Sequence, residues 1–178
     1  IGKERLALGS QCFDFLIGQP DHKPPKRLVE KMHHALDIDF NSYTDQQGLI
    51  EARQTISKVL KQENIFCTTD NLFLSSGSKP IVYQYIKLIK DKIRNVVVYS
   101  PFYPPYLNQI QMEGLSPFLV NNEEGALDIL KQGKANTIIV VNPNNPNGKT
   151  WTSQTMKELL DLSRDDKVNF IVDETYKD

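Results

Sequence analysis

Asp173 stands directly after residues 168–172, a short and mostly apolar run that reads as a buried strand. A carboxylate there is costly unless something partners it. It is either a solvated strand end or helix cap, or a carboxylate aimed at a cationic ring nitrogen. Three other junctions have the same form. Residues 72–74 run into Ser75-Ser76-Gly77-Ser78, residues 96–99 into Ser100-Pro101-Phe102-Tyr103-Pro104-Pro105-Tyr106, and residues 138–141 into Asn142-Pro143-Asn144-Asn145-Pro146-Asn147-Gly148. The serine and glycine segment is either an N-cap and turn or a cradle for a dianion. In the second case backbone N–H groups at a helix start, with hydroxyls beside them, would hold the charge. Gly77 would let the backbone approach closely. The segment lacks GxxxxGK[ST], so it is no nucleotide P-loop. Tyr103 is either a packing aromatic or a flat side chain stacked on a flat cofactor ring. Residues 142–148 are rich in turn formers, and an amide side chain among them is placed to hold a ring hydroxyl.

The elements that position these segments follow from periodicity. Pro24-Pro25 marks a helix start, and Leu28, Val29, Met32 and Leu36 recur at helical spacing to about residue 37. Leu49, Ala52, Ile56, Val59 and Leu60 predict an amphipathic helix. Beyond it, strands are expected at 72–74, 96–99, 115–120, 138–141 and 168–172. Helices are expected at 80–91, 106–112, 125–132 and 153–163. A further apolar run, residues 13–17, lies in an irregular first segment. The strands are continuous apolar runs rather than in-out alternations, which predicts an α/β fold: a mostly parallel sheet, buried on both faces by helices as a three-layer sandwich. In such sheets ligands bind outside the carboxyl ends of the strands, so the four junctions converge on one edge.

Totals exclude other classes. The 178 residues are 39% hydrophobic and 24% charged, with 21 basic and 22 acidic residues and a net charge of −1. That balance, with no basic run interleaved with aromatics, argues against a nucleic-acid partner. No apolar stretch is long enough to span a membrane, and no signal-peptide pattern stands near Ile1. Position 1 is Ile rather than Met, which leaves a removed presequence open. Cys12 and Cys67 are isolated and read as reduced thiols of a cytoplasmic protein. His22, His33 and His34 have no ligand spacing, so no metal site is expected.

Six segments, in this order, carry a resemblance: Gly18-Gln19-Pro20-Asp21; Tyr43-Thr44-Asp45-Gln46-Gln47-Gly48-Leu49 with Arg53; Ser76-Gly77-Ser78; Pro101-Phe102-Tyr103-Pro104-Pro105-Tyr106; residues 142–148; and Asp173-Glu174-Thr175-Tyr176. The chain resembles the class I/II aminotransferases, the fold-type-I enzymes dependent on pyridoxal 5'-phosphate (PLP). The resemblance implies residues 1–41 as part of a small domain or arm, and 42–178 as part of a PLP-binding large domain. It implies that Ser76, Gly77 and Ser78 bind the cofactor phosphate and that Tyr103 stacks on the pyridine ring. Asn145 and Tyr176 would hydrogen-bond the phenolic oxygen, and Asp173 would pair with the pyridinium nitrogen. Tyr43 would reach the phosphate of a neighbouring subunit, implying a homodimer, and Gly18 would lie near the substrate carboxylate.

Two departures stand out. Asn147 replaces the threonine usual before the glycine of the asparagine-proline segment. The family's Schiff-base lysine and carboxylate-gripping arginine fall beyond Asp178, so no catalytic residue is expected within the chain, which alone is expected to be inactive and poorly stable or associating. The implied activity is transfer of an amino group between an amino acid and a 2-oxo acid. Another PLP reaction on the same scaffold, such as a carbon–sulfur lyase or a decarboxylase, and a non-catalytic aminotransferase-like binding protein, are the alternatives.

Overall fold

The structure, a computed structural model, describes Gly18, residues 22–164 and residues 167–177. The apolar run at 13–17, Cys12, and the Gln19-Pro20-Asp21 part of the first motif lie outside the described residues. The chain separates into two compact units, Ile1–Gln46 and Gln47–Asp178.

In the first unit, helix α1 (Lys26–Asp37) begins directly after Pro25, as the paired prolines predict. Its apolar stripe of Leu28, Met32 and Leu36 is exposed.

The second unit opens with α2 (Ile50–Gln62). Arg53 in its first turn is 3% exposed. It donates to Gly48 O (3.1 Å), Gln47 Oε1 (2.8 Å) and Thr69 O (2.9 Å), tying the start of the helix to a 3₁₀ turn at Thr69–Asn71. Gly48 has φ +93°, and a Cβ there would stand 2.7 Å from Leu74 Cβ, so the position excludes any side chain.

Next come α3 (Ser78–Ile89), β1 (Val96–Tyr99), α4 (Pro105–Met112), β2 (Pro117–Val120), α5 (Glu123–Lys131), β3 (Thr137–Val141), α6 (Ser153–Arg164) and β4 (Asn169–Asp173). The strands lie in the order β2-β1-β3-β4, and every pairing is parallel. Successive residues of one strand point to opposite faces. Val97, Tyr99, Ile138 and Val140 pack with Ala126, Leu127 and Leu130 of α5 and Leu159 of α6. Val96, Val98, Ile139 and Val141 pack with Val82 and Ile86 of α3 and Tyr106 and Ile110 of α4. The three expected layers are therefore present, and they explain why the strands read as unbroken apolar runs.

Several elements shift by one or two residues from the expectation, α3 among them (Ser78–Ile89 against 80–91), and three differences have a local cause. Residues 72–74 form no strand. Leu72 and Leu74 donate their N–H groups to Thr69 O and Gln47 O, so these groups tie the segment to neighbouring turns and not to a ladder. Strand β2 begins at Pro117, because Leu115 N–H still closes α4 on Ile110 O. Helix α5 begins at Glu123, where the Asn122 side chain accepts Gly125 N–H and caps the first turn.

Candidate functional site

All four strands are parallel, so the segments after β1, β3 and β4 emerge at one edge of the sheet. The start of α3 reaches the same place. A cavity of about 260 Å³ lies there, lined by Gly77, Ser78, Tyr103, Asn145, Asp173 and Tyr176, and also by Lys79, Tyr106, Val141 and Thr175.

One wall of the cavity is the start of α3, which presents hydrogen-bond donors. Gly77 caps α3 with φ +91° and ψ 174°, a conformation that is essentially restricted to glycine. Nothing would lie within 4 Å of a Cβ there, so the conformation, not space, requires glycine. It turns the chain so that the first N–H groups of α3, which have no partners within the helix, and the Ser78 hydroxyl stand at the cavity. Lys79 lines the same wall. Gln109 of α4 donates to Lys79 O at 3.0 Å and pins this turn.

A carboxylate stands beside this turn. Asp173 is the final residue of β4, aligned with Val141 of β3, and is 8% exposed. Its Oδ1 accepts Thr175 N–H (2.9 Å) and Thr175 Oγ1–H (2.5 Å), and its Oδ2 accepts the Tyr106 hydroxyl in a short hydrogen bond. Ser78 Oγ stands 3.5 Å from Oδ2 and accepts or donates at 3.0 Å with Thr175 Oγ1. The cost of the buried carboxylate is thus met by hydrogen bonds. Burial, and then the hydrogen bond to Asp173, push the Tyr106 phenol well above its usual range, so it remains a donor.

Aromatic and amide groups complete the lining. Tyr103 faces the cavity and packs edge-on to Tyr106, with ring centroids 5.5 Å apart. Asn145 Nδ2 donates to Tyr176 OH at 3.4 Å, so the two groups expected to share one ligand oxygen are neighbours. Asn144, 4% exposed, locks the segment in place by donating to Pro101 O (2.9 Å) and Asn147 Oδ1 (2.8 Å). Asn147 Oδ1 also accepts Lys149 N–H at 3.1 Å. The residue that departs from the family pattern is therefore a turn acceptor, which a threonine hydroxyl at that position is also equipped to be.

Of the sequence-predicted residues, Ser76 precedes Gly77 in the loop but does not line the cavity. Tyr43 and Gly18 belong to the first unit, both exposed. Sequence reasoning assigned no role to Tyr106, Thr175 or Lys79, although the first two stand within the quoted motifs. A signal existed for two of them. A tyrosine that will be buried needs a partner for its hydroxyl, and a hydroxyl two residues after an aspartate is placed for a local turn bond. Among the described residues no group of His, Cys, Asp and Glu has the arrangement of a metal site, and no helix is long and apolar enough to cross a membrane.

Comparison with known proteins gives the arrangement a context. The probable aspartate aminotransferase of Methanocaldococcus jannaschii is 28% identical over 174 residues, covering 94% of this chain and 46% of that protein. The alanine aminotransferase structure from Pyrococcus furiosus superposes with a TM-score of 0.77 at 26% identity, covering 98% of this chain and 48% of that one. The aspartate aminotransferase of Thermus thermophilus, at 19% identity, shares the fold with a TM-score of 0.82, over 96% of this chain and 47% of that one. The chain thus spans about half the length of the relatives it matches. The family described as aminotransferase class I and II matches residues 10–178, a span that includes every residue lining the cavity. On that match, the chain belongs to the class I and II aminotransferases, a family whose members use pyridoxal phosphate.

Proposed function

We propose that the protein carrying this chain moves an amino group between an amino acid and a 2-oxo acid, with pyridoxal phosphate held in the cavity at the carboxyl ends of β1, β3 and β4. The observation that carries this reading is the pairing of an anion cradle at Gly77 and Ser78 with a buried, hydrogen-bonded carboxylate at Asp173 in one cavity. A phosphorylated pyridine needs both kinds of group. The donor set fits it: N–H groups and hydroxyl for a dianion, and an acceptor-only carboxylate for a protonated ring nitrogen. When bound, the cofactor supplies an electron sink for the substrate carbon.

The roles of the chain's own residues follow. Gly77 and Ser78 hold the phosphate from the cavity wall, and Ser76, just outside that wall, joins them through the same loop; Tyr103 covers one face of the ring, and Asn145 and Tyr176 hold its phenolic oxygen. Asp173 keeps the ring nitrogen protonated, because an adjacent anion favours the charged form. Gly18 stands near the substrate carboxylate. Tyr43, fully exposed, serves the phosphate of a second copy in a homodimer. Residues 1–41 belong to a small domain or arm and 42–178 to the large domain of a cytoplasmic enzyme.

The test uses the full-length protein with pyridoxal phosphate, a panel of amino acids beginning with aspartate, and 2-oxoglutarate. A transaminase consumes the 2-oxo acid in step with the amino donor. Product formed without loss of the 2-oxo acid would instead indicate a lyase or decarboxylase. Asp173→Ala should lower turnover by at least about 100-fold, on the scale of losing a buried charge partner.

A further inference from the structure

Both carboxylate oxygens of Asp173 carry hydroxyl partners from outside β4. Tyr106 reaches Oδ2 from α4, and Thr175 reaches Oδ1 from the turn that follows the strand. An ionised carboxylate only accepts, so each of these hydroxyls must donate. Tyr106 has one proton, and Asp173 is the partner of its hydroxyl. Thr175 also has one proton, and two oxygens within reach, Asp173 Oδ1 at 2.5 Å and Ser78 Oγ at 3.0 Å. The shorter contact, to the charged acceptor, takes it. Ser78 Oγ–H has Asp173 Oδ2 at 3.5 Å and the cavity itself within reach, so its proton is left for a ligand anion. Two hydroxyl protons, those of Tyr106 and Thr175, therefore run to the carboxylate, one to each oxygen, while Asp173 is ionised. The carboxylate is fixed in rotation by donors on both oxygens, at the wall of the cavity that Tyr106 and Thr175 also line.

We propose that Tyr106 and Thr175 are positioning residues that hold the Asp173 carboxylate, ionised and in one orientation, for a protonated ring nitrogen in the cavity. The proposal rests on the reading that the cavity takes pyridoxal phosphate. Neither hydroxyl is needed to touch the ring itself. Their effect passes through Asp173, and it therefore depends on the ligand having a basic nitrogen.

That dependence gives the test. The full-length protein is titrated, by absorbance and fluorescence, with pyridoxal phosphate and with its 1-deaza analogue, in which the ring nitrogen is replaced by C–H. Tyr106→Phe keeps the ring packed against Tyr103 and removes only the hydroxyl. Thr175→Val keeps the side-chain shape and the backbone N–H bond. Thr175→Ser restores a hydroxyl. Each of the first two should weaken pyridoxal phosphate binding about tenfold, the effect of one hydrogen bond to a charged group. Binding of the deaza analogue should change by less than about twofold, and Thr175→Ser should recover the parent affinity for both. Equal losses for the two ligands, or no loss for either, would overturn the proposal and leave the cofactor reading standing. Failure of the unsubstituted protein to bind pyridoxal phosphate would overturn both.

Discussion

Gly77 shows how a single backbone conformation shapes the helix start that lines the cavity. With φ +91° and ψ 174° it lies where any side chain is strained, although the space beside it is open. The consequence is that Gly77→Ala should cost about 1–3 kcal/mol through backbone strain alone. It should also tilt the first turn of α3 and weaken binding of inorganic phosphate or a phosphorylated ligand. Urea unfolding checks the first effect and a phosphate-competition titration the second. Unchanged stability with unchanged phosphate affinity would mean that the turn tolerates a Cβ and is not the cradle. At this scale the sequence was informative where chemistry is written in local order. Gly77, Ser78, Tyr103, Asn145, Asp173 and Tyr176 were all legible, and all line one cavity. The supporting contacts were not. Tyr106 and Asp173 are 67 residues apart, and no local pattern says that they meet.

The elements that hold the site are coupled by a few polar ties as well as by the core. Tyr83 of α3 donates to Glu113 at the end of α4 (2.8 Å), and Lys90, just past α3, pairs with the same carboxylate (3.2 Å). The Tyr83 hydrogen bond, with help from Lys90, holds the Glu113 carboxyl below its ordinary value of 4.5. A carboxyl whose folded value is depressed stabilises the fold fully above its unfolded value, and that stability is lost as pH falls through the folded value. Tyr83→Phe should therefore destabilise the protein at pH 7, and the gap from the parent should narrow as pH falls below about 4.5. Urea midpoints at pH 7 and pH 3.5 measure it; a gap that is constant or widens in acid would show that the tie is not the ionised carboxylate. Periodicity predicted α3 and α4 but not this link, because both partners look like ordinary surface polar residues in the sequence. The error at residues 72–74 has a related cause. An apolar triplet has strand propensity, but a strand exists only with a neighbour, and the N–H groups of Leu72 and Leu74 are used by Thr69 and Gln47.

The whole molecule shows a contrast between its two kinds of surface. The sheet is covered on both faces, so the layered architecture was legible from unbroken apolar strands alone. Beside α3 lies a different surface, a groove of about 610 Å³ lined by Leu72, Phe73, Leu74, Ile81, Tyr85 and Leu88. Phe73 is 58% exposed and Leu88 81%. Among the described residues β4 pairs on one side only, with β3, and leaves its other edge open. Exposed apolar clusters and open strand edges both favour association. No periodicity argument reveals them, since Ile81, Tyr85 and Leu88 share a helical stripe that reads as an ordinary core face. The 178-residue polypeptide, produced by itself, should therefore bind a hydrophobic dye and self-associate with rising concentration in analytical ultracentrifugation. Leu88→Lys together with Phe73→Ser should reduce both effects, because these two side chains contribute exposed apolar surface to the groove without filling the core. A dye-silent monomer with a sharp cooperative melt would show instead that the groove and the free edge are tolerated in water.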